Sequence, residues 1–340
     1  MKDRKTPSIY DVAKKAQVGI ATVSRVLNNN GSVKDETRTK VLKAIEELDY
    51  IPNFFAKNLV KNTSRIIVLI IPDITNPVFA EMAKGISDKA YSENYTVFLC
   101  NTDSDVKKEI KFVKDFLDKH VDGMIFISTE MSKYDGDFKH YLYLHNKKLP
   151  LVFINGMIKN VDIPYIRIDE ELSGYIAAKF MLDKGLRRIA FIGGPSNFIP
   201  TKEKLLGFKK ALNEFNLPIN ENYIILDNFE VSSGFKNTIN LLDMKTKPEG
   251  IITASDMLAI ESIKAAALKN IKVPENLKVI GFDDIALASE YIPSLTTIAQ
   301  PKYEMGAKAL EILIKLIEKK ELKEKNFIVK PKLIIRESCC

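Results

Sequence analysis

Cysteine is scarce, with three copies in 340 residues. Cys100 closes an apolar run, and Cys339 and Cys340 are adjacent, a poor arrangement for a structural disulfide. This excludes a disulfide scaffold and fits a reduced cytoplasm. Histidine is as rare, and His120, His140 and His145 have no Cys/His spacing that suits zinc. No apolar run reaches the roughly 18 residues of a membrane span. Residues 1–6 are charged with no apolar core behind them, unlike a secretory leader. Phosphate-loop and serine-elbow patterns are missing. Gly193-Gly194-Pro195 lacks a dinucleotide fingerprint, and Pro195 has no N–H to offer a phosphate. No nucleophile–base set supports an enzyme, and no cofactor is expected.

The first sixty residues carry the clearest signal. Ser8 suits a helix N-cap and Asp11 its first turn. Ile9, Val12, Ala13 and Ala16 share one face at helical spacing. Gly19 permits a sharp turn or a cap, and a second helix starts at Ile20. Val23, Val26 and Leu27 point inward there, leaving Ile20, Ala21, Thr22, Ser24 and Arg25 to face outward. A third helix begins near Lys34, with Val41, Leu42, Ile45 and Leu48 as its buried stripe. Two short amphipathic helices this close together suit the major groove of duplex DNA.

A small helical bundle without a DNA role is the competing reading, and charge argues against it. Residues 1–61 hold twelve Lys and Arg against seven Asp and Glu, a net of +5 out of +7 for the whole chain. A basic head on a nearly neutral body is drawn to polyanions.

Ile9-Tyr10-Asp11-Val12-Ala13 and Ala21-Thr22-Val23-Ser24-Arg25-Val26-Leu27-Asn28, with Glu36-Thr37-Arg38 and Leu48-Asp49-Tyr50-Ile51-Pro52-Asn53, resemble the head of the lactose-repressor/galactose-repressor family. The similarity continues at intervals to Arg336-Glu337-Ser338. One departure is Gly19, where the family often has serine as the cap of the recognition helix. The resemblance implies a DNA-binding set of Ser8, Ile9, Gly19, Ile20, Ala21, Thr22, Ser24, Arg25, Asn28, Asn53, Ala56 and Leu59. Residues 53–61 follow Pro52 and are too short for a stable helix alone. The resemblance implies a hinge helix there that folds when two chains meet over the minor groove. Leu59 would wedge between base pairs, and Ala56 would allow close approach.

Beyond residue 64, apolar runs alternate with amphipathic stretches, the pattern of parallel sheets with crossover helices. Runs at 66–71, 96–100, 123–128 and 151–155 read as one set of strands. Those at 165–168, 189–193, 223–226, 250–253 and 279–282 read as a second. About 280 residues is more than one such sheet normally needs, so two lobes are expected. The expected fold is an all-α helix-turn-helix head with a hinge helix, joined to an α/β two-lobed body like the periplasmic binding proteins. The head spans 1–61 and the body 64–340. The first lobe is about 64–163 plus 294–325, the second about 164–293 plus 326–340. No heptad extension follows the final strand, so the tetramer-forming tail of the lactose repressor is not expected and a homodimer is.

Ligands of open parallel sheets sit beyond the carboxyl ends of the strands. Those ends carry Pro72-Asp73, Asn101-Thr102-Asp103, Ser255-Asp256 and Asp283-Asp284. The resemblance places the effector among Val78, Phe79, Asn155, Lys204, Phe229, Ser255, Asp256 and Asp283. Lys204 stands where the family usually has arginine, and a bidentate fork becomes a point charge. The expected function is an effector-responsive repressor of transcription that binds double-stranded operator DNA and a sugar or sugar phosphate. One alternative is a global catabolite regulator answering to a phosphocarrier protein. Another is a sugar-binding receptor without gene control, which the basic head disfavours.

Overall fold

The structure, a computed structural model, describes residues 7–27, 33–50 and 63–340. Asn28, Asn53, Ala56 and Leu59, and with them the expected hinge helix, lie outside these residues. The chain falls into two compact units, Met1–Ser64 and Arg65–Cys340.

Among the described residues the head holds three helices: α1 (Ile9–Ala16), α2 (Ile20–Leu27) and α3 (Asp35–Glu47). The Asp11 carboxylate accepts from the Ser8 backbone N–H at 2.8 Å and from the Ser8 hydroxyl at 2.6 Å, closing the start of α1. Of the two roles open to Gly19, a sharp turn or a cap, the structure shows the second. Gln17, not Gly19, takes the left-handed conformation at φ 55°. Gly19 instead sits at the start of α2, where its carbonyl accepts from Thr22 N–H at 2.8 Å and Val23 N–H at 3.2 Å. Val12, Ala13, Ala16, Val23, Val26, Val41 and Ala44 form the core, with Ile9, Leu27, Ile45 and Leu48 packed against it. Leu42 is not part of the α3 stripe and is 51% exposed. Val41, Ala44, Ile45 and Leu48 recur at helical spacing, and Leu42 lies one residue, about 100°, off that line.

The body has two six-stranded sheets. The first runs β11-β5-β4-β3-β1-β2, from β1 (Ile66–Ile71), β2 (Thr96–Asn101), β3 (Gly123–Phe126), β4 (Leu151–Ile154), β5 (Tyr165–Ile168) and β11 (Asn326–Val329). The second runs β12-β10-β9-β8-β6-β7, from β6 (Ile189–Gly193), β7 (Ile224–Leu226), β8 (Gly250–Thr253), β9 (Lys278–Asp283), β10 (Thr296–Ala299) and β12 (Lys332–Ile334). Only the β10–β12 pair is antiparallel among the described strands. All six residues of β1 are buried, as a strand covered on both faces requires.

Sheet membership moves the expected lobe limits. β5 belongs to the first sheet, where Ile166 pairs with Ile154 of β4 and Ile168 with Val329 of β11. β10 belongs to the second, where Ile298 pairs with Phe282 of β9. Of the C-terminal strands, β11 closes the first lobe and only β12 the second. The chain thus passes between lobes just after β5, β10 and β11. Helix Lys302–Ile317 packs on the first-lobe helix Pro77–Ser92.

Candidate DNA-reading helix and effector cleft

In α2 the inward residues are the apolar Val23 and Val26, both at most 5% exposed. Ile20, Ala21 and Arg25 are exposed, and Thr22 and Ser24 are half-buried. Ile20, at 40%, is a large apolar side chain on an otherwise small polar surface. Such a face offers methyl contact to thymine and a guanidinium for base edge or phosphate. Ser8 caps α1, and Ile9 partly covers the core of the head.

The two lobes of the body meet over a small cavity of about 20 Å³. That is room for about one water, so a sugar-sized ligand enters only if the lobes part. Asn155 of the predicted set lines it, with Arg167, Glu170 and Glu203, which sequence reasoning missed. Asn155 adopts the left-handed conformation just beyond β4, and its carbonyl accepts from Ser132 Oγ at 3.2 Å.

Lys204 is 7% exposed, which rules out a solvated helix surface for it. Its Nζ lies 2.6 Å from Glu170 Oε2 and 5.1 Å from the Phe282 ring centre. Two glycines set this approach. A Cβ on Gly174 would stand 1.9 Å from the Lys204 carbonyl oxygen, and one on Gly207 1.8 Å from that of Glu171. Helices Glu170–Asp183 and Ile199–Glu214 touch backbone to backbone there, which brings Glu170 under Lys204. One residue along, Arg167 Nη1 and Nη2 donate to Glu203 Oε1 at 3.2 and 3.1 Å. Burial raises the Glu203 pKa above the ordinary carboxylate range, and Arg167 opposes the shift.

Asp283 accepts from Gln300 Nε2 at 2.8 Å, and its backbone carbonyl accepts from Lys302 Nζ at 2.6 Å. Burial pushes its carboxyl up to about 7, opposed by Lys204 and assisted by Glu170. Its φ of 111° is a strained position for a residue with a side chain.

The other predicted effector residues stand apart. Asp256 is fully buried and accepts from Thr297 Oγ1 and from Ile285 N–H at 2.9 Å. Burial, then the nearby Asp283, push its pKa well above the ordinary value. It is a sealed structural carboxyl. Ser255 caps helix Asp256–Leu268 by accepting from Leu258 N–H at 3.4 Å. Val78 lies in the first-lobe core, with Phe79 packed against it. Phe229 is 45% exposed and meets Phe198 edge to face at 5.4 Å. Asp73 and Asn101 satisfy nearby backbone N–H groups of Thr75 and Ile74.

A strap crosses from the first lobe to the second beside the cavity. Tyr134 N–H donates to the Asn197 carbonyl at 3.1 Å, Asn197 Nδ2 to Asp135 Oδ1 at 3.2 Å, and Lys202 Nζ sits 4.0 Å over the Tyr134 ring. Behind the strap, Ser128 Oγ donates to Glu109 Oε2 at 2.6 Å, and Tyr141 and His140 reach Glu109 Oε1.

Cys100 and Cys339 are buried thiols whose pKa burial raises to about 11 and about 12, so both are inert at neutral pH. Among the described residues no helix is long and apolar enough to cross a membrane, and no cluster of three or more metal-ligating side chains occurs.

A helix-turn-helix head beside a two-lobed receptor body defines a ligand-responsive regulator of transcription. Residues 8–53 match the family described as bacterial regulatory proteins, lacI family, and residues 178–339 match the periplasmic binding protein-like domain. The ribose operon repressor of Halalkalibacterium halodurans is 37% identical over 97% of this chain and 96% of its own length. The catabolite control protein A of Priestia megaterium is 37% identical over 92% of this chain and 93% of its own. The structure of the lac repressor dimer bound to operator and the anti-inducer ONPF superposes with a TM-score of 0.85. It covers 98% of this chain and 99% of that one at 25% identity. The chain belongs to the LacI family of DNA-binding transcriptional regulators and is not an enzyme.

Proposed function

We propose that two copies of this chain read a two-fold-symmetric operator through α2, and that a small polar effector between the lobes sets operator affinity. The observation that carries this reading is the pairing of an exposed α2 face bearing Arg25 with a cleft whose paired charged groups, half-buried to buried, come from both lobes. The effector-binding residues are Asn155, Arg167, Glu170, Glu203, Lys204 and Asp283. The DNA-reading residues are Ile20, Ala21, Thr22, Ser24 and Arg25, supplemented by Asn28, Asn53, Ala56 and Leu59 from the family resemblance. An effector shifts the lobes only by its differential affinity for their two arrangements.

The test is operator affinity of the full chain with and without fractions of a small-molecule cell extract. At least one fraction is expected to change it tenfold or more, equivalent to about 1.4 kcal/mol of coupling. Affinity unmoved by every fraction would refute effector control. If a phosphocarrier protein is the co-regulator instead, the purified carrier would raise operator affinity where small molecules do not.

A further inference from the structure

Asp283 and Asp284 follow one another in left-handed backbone, at φ 111° and 54°, conformations that cost a residue with a side chain. Two such residues in a row need an outside restraint, and one comes from the other lobe. Lys302 opens the first-lobe helix Lys302–Ile317, and its Nζ donates to the Asp283 carbonyl at 2.6 Å and to the Asp284 carbonyl at 2.9 Å. The Lys302 side chain is 3% exposed, so its ammonium has left water. That is unfavourable unless its protons find acceptors. Two are met by the carbonyls, and Glu81 Oε2, at 3.4 Å, stands for the third.

Glu81 belongs to helix Pro77–Ser92, which is locked to the helix that carries Lys302. A Cβ on Gly85 would stand 2.1 Å from the Tyr303 carbonyl oxygen, and one on Gly306 2.1 Å from that of Met82. The two helices touch backbone to backbone, and such close packing leaves neither free to slide past the other. The ammonium therefore joins a rigid first-lobe pair to the turn that ends β9 in the second lobe. Space-filling alone would favour an apolar side chain there, since a buried charge is costlier than a hydrophobic group of the same volume.

We propose that Lys302 is a positioning residue that holds the Asp283–Asp284 turn in its strained form and ties it to helix Pro77–Ser92. A contact made at Asp283 is then felt in the first lobe, and a change at Glu81 is felt at the turn, because such coupling is reciprocal. The functional side of this inference rests on the proposed place of Asp283 among the effector residues.

Amide exchange of the full chain, without effector or operator, tests this. The reporters are the N–H groups of Asp284 and Ile285, which donate within the second lobe to Thr297 Oγ1 at 3.4 Å and Asp256 Oδ2 at 2.9 Å. E81K alters a side chain that is 45% exposed on the first-lobe helix and sets like charge against Lys302. Exchange at 284 and 285 is expected to rise at least threefold, with β1 and β6 unchanged. E81Q removes the attraction without adding repulsion and should give a smaller rise, an ordering that serves as the test should K302M fail to fold. In K302M the same two amides should exchange at least fivefold faster than in the wild type, and adding E81K to K302M should change them no further. Unchanged exchange at 284 and 285 in E81K would overturn the proposal. So would an E81K effect that persists in full without the lysine. If the two amides respond as expected while no extract fraction alters operator affinity, the effector reading falls and the positioning role stands. If a fraction alters operator affinity while the amides stay unmoved, the positioning role falls alone.

Discussion

At the scale of single residues, the informative positions are those where the local chemistry is unusual. Gly19 is one. Nothing lies within 4 Å of where its Cβ would be, and its backbone is outside the left-handed region. A side chain fits there, and serine caps a helix slightly better than glycine while restricting the unfolded chain. Gly19→Ser is expected to stabilise the head by about 0.5–1 kcal/mol, read as a higher urea midpoint for its unfolding. A lower midpoint would show that the start of α2 is shaped differently.

Asp283 is another. Its folded pKa near 7 lies above the value of about 4 in an unfolded chain, so the folded state holds more protons between those limits. Stability linked to Asp283 is therefore full below pH 4, falls as pH rises towards 7, and is flat beyond. Asp283→Asn should match the wild type near pH 4 and exceed it at pH 8, by on the order of 1–2 kcal/mol after solvent screening. Asp256, shifted in the same direction, keeps part of the slope in the variant. Denaturant titrations at the two pH values check this, and an equal slope in both proteins would contradict it.

At the scale of elements, the strap from residue 133 to 135 bridges the lobes beside the cleft, as the Arg167–Glu203 pair does within it. The Lys202–Tyr134 stack is worth about 0.5–1 kcal/mol at a surface site. Tyr134→Ala should raise amide exchange at residues 197–202 about two- to fivefold while leaving β1 and β6 unchanged. Unaltered exchange at 197–202 would mean the strap does not restrain the second lobe.

How far elements and site could be read in advance also becomes clear at this scale. β1 and β5 fall where apolar periodicity puts them, because buried parallel strands are short apolar runs with turn residues at each end. The partner sheet of β5, β10 and β11 did not emerge, because periodicity reports burial and not hydrogen-bond partners. Leu42 was misplaced by one step around a helix. At the site, Asn155, Lys204 and Asp283 came from family resemblance; Asn155 lines the cavity, and Lys204 pairs with its lining residue Glu170. Glu170 and Glu203 were missed because each pairs with a cation 34 or more positions away, and such pairing leaves no local pattern. Arg167 did leave a weak one, as a charged residue on the less buried face of an alternating strand. The sealed Asp256 was mistaken for a ligand group because a carboxyl at a strand end looks the same whether it faces a cleft or caps its own fold.

At the scale of the whole molecule, the chain couples a basic reading head to a receptor body whose net charge is small. On the proposed function the head's charge supplies attraction to any duplex, so affinity alone says little, and the side chains on α2 are the first place to seek specificity. Arg25 is the best placed of these to contact a base edge, and Arg25→Ala should cost about 1–3 kcal/mol on the preferred site and much less on random DNA. On the proposed function, a nearly closed cleft in the body calls for an effector that chooses between lobe arrangements rather than one that fills a standing pocket.

The most direct measurement is selection of duplex DNA from a random-sequence pool by the full chain, in the presence and absence of cell extract. The account predicts an enriched site with two-fold symmetry in at least one condition, and its loss or relaxation in Arg25→Ala. A pool that stays unenriched in both conditions, bound only through salt-sensitive contacts, would contradict it.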